Sequence, residues 1–331
     1  MLSRRLYAVD LGTDNTIVFE PSRGIIFNEP TYIALHRHSG KVLCIGREAK
    51  EMAGKTPPHL SVVKPLSQGA IANLDATGLF LRHLIDMLMR KRALFGPAIA
   101  VSIPFDLTSF ERNAVREAGI QGGARSVVMI EDPYSAAVGA GIDLLAPSGA
   151  LLLDVGSGVT EISLLSCGSI VASRSVRSAG WDFEQEIIDY LDARYRGRIS
   201  RRDAEMLKIE AGRSDVAALP VPIKNRSDAL PQARQIPLTD VREALKPGIR
   251  RLGDFIRAFL QILPPDFAPY IRENGLYLTG GTALLGGLKS HIEREFSLRT
   301  VVGQNPLQEI ALGAGRIIED RKLFAHLVTG R

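Results

Sequence analysis

The sequence is constrained most by a duplication. Tyr7 to Glu20 reads YAVDLGTDNTIVFE and Leu151 to Leu165 reads LLLDVGSGVTEISLL, each a strand, a tight turn and a returning strand. Laid on each other they share D-[LV]-G-[ST]-x-x-T, which matches Asp10 with Asp154, Gly12 with Gly156, Thr13 with Ser157 and Thr16 with Thr160. The chain reads as two related halves, and its 331 residues allow one large or two medium domains.

These residue types at this spacing suit a polyphosphate. A strand that ends in a carboxylate can hold a hydrated Mg²⁺, and a glycine two residues on lets backbone N–H groups approach phosphate oxygens. The Thr13 and Ser157 hydroxyls add donors. Either hairpin alone is equally well an ordinary turn, because Asp-x-Gly is common there. The duplication favours two hairpins gripping a polyphosphate from both sides, with a metal between Asp10 and Asp154. A third glycine segment, Gly275 to Leu288 (GLYLTGGTALLGGL), predicts a strand, a Gly280-Gly281 turn and a helix, with bare backbone suited to close packing against a nucleotide.

Between the hairpins, strands Ile99 to Ile103 and Ser126 to Ile130 flank a helix that Thr108 and Glu111 start as a capping box. After the second strand, Asp132 suits an N-cap and Pro133 a first helical turn. Strands alternating with helices predict an α/β domain. Gly212 to Asp240, with four prolines among β-type residues, reads as hairpins of a small subdomain.

Composition excludes other classes. With 45% hydrophobic and 23% charged residues the chain folds around a sizeable core. Its net charge of +5 is spread along the chain, which argues weakly for an anionic membrane surface and against nucleic acid as a partner. The two cysteines, Cys44 and Cys167, fit neither a disulfide framework nor a zinc site, so a reducing cytoplasm is expected. Asp10 interrupts any signal-like apolar run, and Asn274 to Leu288 is too short to span a membrane.

The residues resemble the actin, Hsp70 and sugar-kinase superfamily, and within it the MreB/Mbl family of bacterial actins. DLGTDNTIVF is similar to the family's first phosphate motif, and Phe27 to Thr31, Gly46 to Lys50 and Gly54 to Pro57 to the segments that follow it. Ile130-Glu131-Asp132-Pro133, Lys208-Ile209-Glu210, Val241 to Leu245, the LTGG of Leu278 to Gly281 and Gly313-Ala314-Gly315 continue the series in order, from about Tyr7 to about Ile318. The resemblance implies an actin-like two-lobed α/β fold, two RNase H-like domains each with a small inserted subdomain and a nucleotide cleft between them. Lobe I is then expected from 1–31, 66–144 and 312–331 with a small subdomain at 32–65; lobe II is expected from 145–180 and 246–311 with a small subdomain at 181–245. It also implies ATP-dependent assembly into homopolymer filaments on the inner face of the cell membrane, with cell-wall synthesis and shape-determining membrane proteins as partners.

Carried over residue by residue, the resemblance puts nucleotide contacts on Thr13, Asp14 and Asn15 after Gly12, and on Ser157, Gly158 and Val159 after Gly156. Glu205 and Lys208 take ribose and adenine contacts, though three apart on a helix they read equally as a solvated pair. Gly280, Gly281, Thr282 and Ala283 line the adenosine side, and Asp10 and Asp154 hold Mg²⁺ through water. The chain departs from the family where DVGSGVTE replaces DIGGGTTE, where Thr282 replaces a glycine, and where Trp181 replaces an acidic residue. Trp181 could stack on the base or fill core, and as the lone Trp of the chain it is expected to fill core.

The family has a glutamate before Pro133 to orient the attacking water, and this chain has Asp132. The shorter carboxylate is retracted by about 1 Å, enough to slow hydrolysis by about 10²-fold. Helix capping is expected to compete for it, while Glu131 should point the other way. Arg90 to Pro97 sets Leu94 and Phe95 beside three cations, a loop expected to insert its apolar tip between anionic headgroups, as the family's membrane loop does. Two other readings stay open from sequence alone: a monomeric ATP-dependent phosphotransferase of the same superfamily, and a nucleotide-independent filament scaffold.

Overall fold

The computed structural model of the chain describes residues 6–89, 96–212, 216–225 and 230–329. The first hairpin is β1 (Leu6–Leu11) antiparallel to β2 (Asn15–Glu20), which pairs on with β3 (Gly24–Pro30). Tyr7, Val9 and Leu11 are buried on one face of β1 and Ala8 on the other, as in a strand covered on both sides. A small antiparallel sheet follows, made of β4 (Ile33–His36), β5 (Val42–Ile45) and β6 (Leu60–Val63) in the order β5-β4-β6, with the short helix α1 (Arg47–Met52) between its last two strands. A two-stranded turn, β7 (Leu66–Ser67) with β8 (Ala70–Ile71), bends through positive φ at Gln68 and Gly69.

Helix α2 (Leu74–Met89) buries Phe80, Leu81, Leu84 and Ile85 against the sheet. Then come β9 (Ala98–Ile103), α3 (Ser109–Gln121), β10 (Ser126–Glu131) and α4 (Asp132–Gly139). The Thr108–Glu111 capping box is formed at the start of α3 as the sequence predicts. The helix after β10 differs from expectation. Glu131 holds the extended cap position and Asp132 is already helical, so no side chain caps α4 and the expected competition for the Asp132 carboxylate is absent.

The second half repeats the plan. It begins with β11 (Ala150–Val155), β12 (Thr160–Ser166) and β13 (Ser169–Val176), followed by α5 (Gly180–Tyr195), β14 (Gly197–Arg198) and α6 (Arg201–Glu210). The proline-rich stretch is the hairpin β15 (Ala218–Asn225) and β16 (Gln232–Pro237), which joins β14 in a second small sheet. The long helix α7 (Leu238–Ile262), α8 (Ala268–Asn274), β17 (Leu276–Thr279), α9 (Leu288–Phe296) and β18 (Thr300–Val302) complete this half. Helix α10 (Glu309–Glu319), α11 (Arg321–Leu327) and β19 (Val328–Thr329) return to the first sheet, where β19 pairs with β10.

The first large sheet therefore runs β3-β2-β1-β9-β10-β19 and the second β13-β12-β11-β17-β18. In each, three antiparallel strands are followed by two parallel ones. The register makes Asp10 and Asp154 equivalent: Asp10 lies beside Ser102 on β9, and Asp154 beside Thr279 on β17. A cluster holding Ala8 and Ala100 of the first half with Leu152 and Leu165 of the second joins the two lobes, and α4 and α10 belong to it. These two helices touch backbone to backbone, since a Cβ on Gly313 would sit 1.7 Å from the Ser135 carbonyl oxygen. No helix among the described residues is long and apolar enough to cross a membrane.

Candidate functional site

The two hairpin turns are closed in the same way. The Gly12 N–H donates to the Asn15 carbonyl at 3.1 Å, and the Gly156 N–H to the Val159 carbonyl at 2.9 Å. A Cβ on Gly12 would lie 2.6 Å from the Asn15 oxygen, so this glycine is needed for the turn itself. Buried threonines, the shared Thr16 and Thr160 together with Thr31, hold the hairpins from behind. Thr31 Oγ1 donates to the Gly12 carbonyl at 2.8 Å and lies 2.9 Å from Thr16 Oγ1, while Thr160 Oγ1 donates to the Ser178 carbonyl at 2.7 Å. Thr16, Thr31 and Thr160 are fully buried.

Both turns face one cavity of about 620 Å³. Its lining includes Asp10, Gly12, Thr13, Asp14 and Asn15 from the first half and Asp154, Gly156, Ser157, Gly158 and Val159 from the second. Asp132, Glu205, Lys208, Gly280, Gly281 and Thr282 line it as well. Ala283 does not; it is buried in the second lobe's core. The Gly280 segment also differs from expectation. Residues Gly281–Leu284 form a single 3-10 turn, and the helix waits for the left-handed Gly287 before starting at Leu288. The delay lets Gly286 pack on Gly212, where any Cβ would come within 2.2 Å of its Cα. The Thr282 hydroxyl donates to the Gly156 carbonyl at 2.8 Å and ties this turn to the second hairpin.

Sequence reasoning missed an apolar wall of this cavity. Ile209, Leu284 and Leu307 line it while remaining roughly half exposed, and they give the cavity one apolar side. Their signal lay only in their neighbours Lys208, Ala283 and Pro306. The Gln68-Gly69 turn was also missed. The Gly69 N–H donates to Thr13 Oγ1 at 2.9 Å, and a Cβ there would strike Val159 at 2.3 Å, so this turn is wedged between the hairpins.

The polar partners sort the candidates further. Glu205 accepts from Lys50 of α1 at 3.0 Å, and Lys208 donates to Glu184 at 2.6 Å. They therefore do not form the solvated pair that their spacing allowed. Trp181 fills no core: it is half-buried and its indole N–H donates to Asp14 Oδ1 at 3.0 Å across the cleft. Glu131 turns away from the cleft to Arg112, at 3.1 Å. Leu94 and Phe95 lie outside the described residues.

The floor of the cleft is acidic. Burial pushes Asp10 up to about 7. Asp154 is likewise pushed up to about 7, by burial and then by the charges of Asp10 and Glu309. Burial also raises the Asp132 carboxyl well above its usual range, with the nearby charges of Glu161, Asp10 and Asp154 adding to it. Asp132 Oδ1 and Asp154 Oδ1 are buried without a hydrogen-bond partner. Such orphaned oxygens are what a divalent cation satisfies. No cluster of three metal-binding side chains occurs among the described residues.

The sequence profile of the MreB/Mbl protein family matches residues 4–326. The chain is 34% identical over 316 residues to the cell shape-determining protein Mbl of Bacillus subtilis (strain 168), covering 94% of this chain and 95% of that protein. In structure it is similar to MreB5 of Spiroplasma citri bound to ADP, with a TM-score of 0.90 and 27% identity over 96% of this chain and 97% of that one. It is equally similar to MreB5 of the same organism bound to AMPPNP, with a TM-score of 0.89 and 28% identity over 98% of both chains.

Proposed function

The chain belongs to the MreB/Mbl family of bacterial actins, and from that premise we propose that its cleft holds ATP with the phosphates between the two hairpins. The protein is an actin-like cytoskeletal subunit that binds ATP, polymerises into filaments and hydrolyses the nucleotide slowly as it does so. The observation that carries the reading is the equivalence of the hairpins: one motif, occurring once per sheet, brings both turns to the same cavity with Asp10 and Asp154 in the same register.

In this reading Thr13 to Asn15 and Ser157 to Val159 embrace the phosphates, and Gly280, Gly281 and Thr282 form the bare edge beside the adenosine. Ile209, Leu284 and Leu307 cover the base, with Glu205 and Lys208 near the sugar. Ser157 adds a side chain where the family has glycine, and Val159 removes a hydroxyl, so the phosphate grip is looser than in relatives. Asp10 and Asp154 hold Mg²⁺ through water; the ion, when bound, offsets phosphate charge. Asp132 orients the attacking water with its unpartnered oxygen.

The four-part division follows the same reading, with small subdomains at 32–65 and 181–245 flanking the mouth of the cleft. The inner face of the cell membrane is the surface on which filaments lie, through Leu94 and Phe95 with their adjacent cations, and cell-wall synthesis proteins are the partners there. Titration with a fluorescent ATP analogue in Mg²⁺ buffer tests the site. Saturable binding that unlabelled ATP displaces is expected; absence of binding contradicts the reading.

A further inference from the structure

Across the mouth of the cleft, Asp14 meets two residues that do not line it. Lys64 follows β6 in the small sheet of the first lobe, and Trp181 stands in the first turn of α5 in the second lobe. The Trp181 indole N–H donates to Asp14 Oδ1 at 3.0 Å, and the Lys64 ammonium pairs with the same oxygen. That ammonium also lies 3.6 Å from the centroid of the indole ring, and the Arg201 guanidinium lies 4.9 Å from it. The three groups therefore close on one another from opposite lobes.

A carboxylate facing a polyphosphate repels it unless its charge is neutralised nearby. Burial works against ionisation of Asp14, but the Lys64 charge and the bonds from Lys64 and Trp181 hold its carboxyl below the usual range. The Lys64 side chain is 12% exposed and that of Asp14 28%, so solvent screens this pairing only in part. A second cross-cleft contact, Lys50 with Glu205, is about a third exposed on both sides and counts for less. Opening the cleft pulls Trp181 away from Asp14 and Lys64 together, so nucleotide cannot leave by a wide opening without breaking both contacts.

Building on the nucleotide reading, we infer that Lys64 and Trp181 are positioning residues that clamp Asp14 across the cleft and set how long a bound nucleotide is retained.

Stopped-flow displacement of a fluorescent ADP in Mg²⁺ buffer tests the clamp. Trp181→Phe keeps a ring and removes the donor, and Lys64→Met removes the cation; each is expected to speed release by about tenfold. The double variant should release more slowly than the product of the single effects requires, because the two residues act on one carboxylate. Lys64→Arg should restore release close to wild type. In the unaltered protein, the emission of the only Trp should change when MgADP binds. Normal binding with release within about twofold of wild type in both single variants overturns the clamp. So does a Trp emission that ignores bound MgADP, a readout that needs no variant to fold. If the unaltered protein binds no fluorescent ADP, the nucleotide reading itself falls, and the clamp with it.

Discussion

Asp132 carries the sharpest question at the scale of single residues. Its carboxylate is one methylene shorter than the glutamate that the resemblance implies for this position, yet it caps no helix and keeps a buried oxygen without a partner. The group is thus available for water and set back by about 1 Å, a displacement that costs about 10²-fold when geometry is demanding. Asp132→Glu should raise the single-turnover rate of ATP hydrolysis by about 10- to 100-fold; an unchanged rate contradicts the role. Asp10 and Asp154 make a second prediction. Both are pushed from 3.8 to about 7 in the folded chain. The unfolded chain therefore loses these protons first, so the pair lowers stability as pH rises from 3.8 to about 7, with little further change above. Replacing both with Asn should raise the nucleotide-free Tm more at about pH 7.5 than at about pH 5.5, while abolishing the Mg²⁺ dependence of nucleotide binding. An equal Tm gain at both pH values contradicts the assignment. These aspartates were legible in sequence because a strand-end carboxylate before a glycine turn is local chemistry. Trp181, Lys64 and Leu307 were not, because their roles arise only when distant segments meet.

The glycines of the packed helices give the test at the scale of elements. Helices α4 and α10 approach so closely that a Cβ on Gly313 would sit 1.7 Å from Ser135 O, and one on Gly139 2.0 Å from Glu309 O. Gly313→Ala must push the helices apart, and about 1–3 kcal/mol of destabilisation is expected, read as a lower urea midpoint. An unchanged midpoint would show that this helix pair is loosely packed. The sequence foretold the capping box of α3, the paired hairpins and the proline-rich hairpin β15–β16, since each rests on residues a few positions apart. It misplaced the start of α4 by one residue and the helix after Gly281 by several. Both errors have tertiary causes: α4 starts directly from the end of a paired strand, and the Gly281 turn is held out of a helix by packing on Gly212 and a bond to Gly156.

For the whole molecule, the two-lobed plan was readable because the duplication is itself a sequence pattern, and five strands of each large sheet repeat it in the same order. Which side chains bridge the lobes was not, since Asp14 with Trp181 and Lys50 with Glu205 are contacts between segments far apart in the chain. The proposed membrane attachment is tested at this scale as well. Leu94→Ser with Phe95→Ser should release the protein from anionic vesicles without lowering its Tm, because the basic residues alone bind weakly once the apolar anchor is gone. Unchanged pelleting with vesicles contradicts the role of that loop. The central claim is that nucleotide in the cleft governs assembly. It is tested most directly by sedimentation in Mg²⁺ buffer with ATP, with ADP and with neither, followed by negative-stain imaging of the pellets. Filaments that form with ATP and are sparse with ADP or without nucleotide are the predicted result; equal filaments in all three, or none in any, would contradict it.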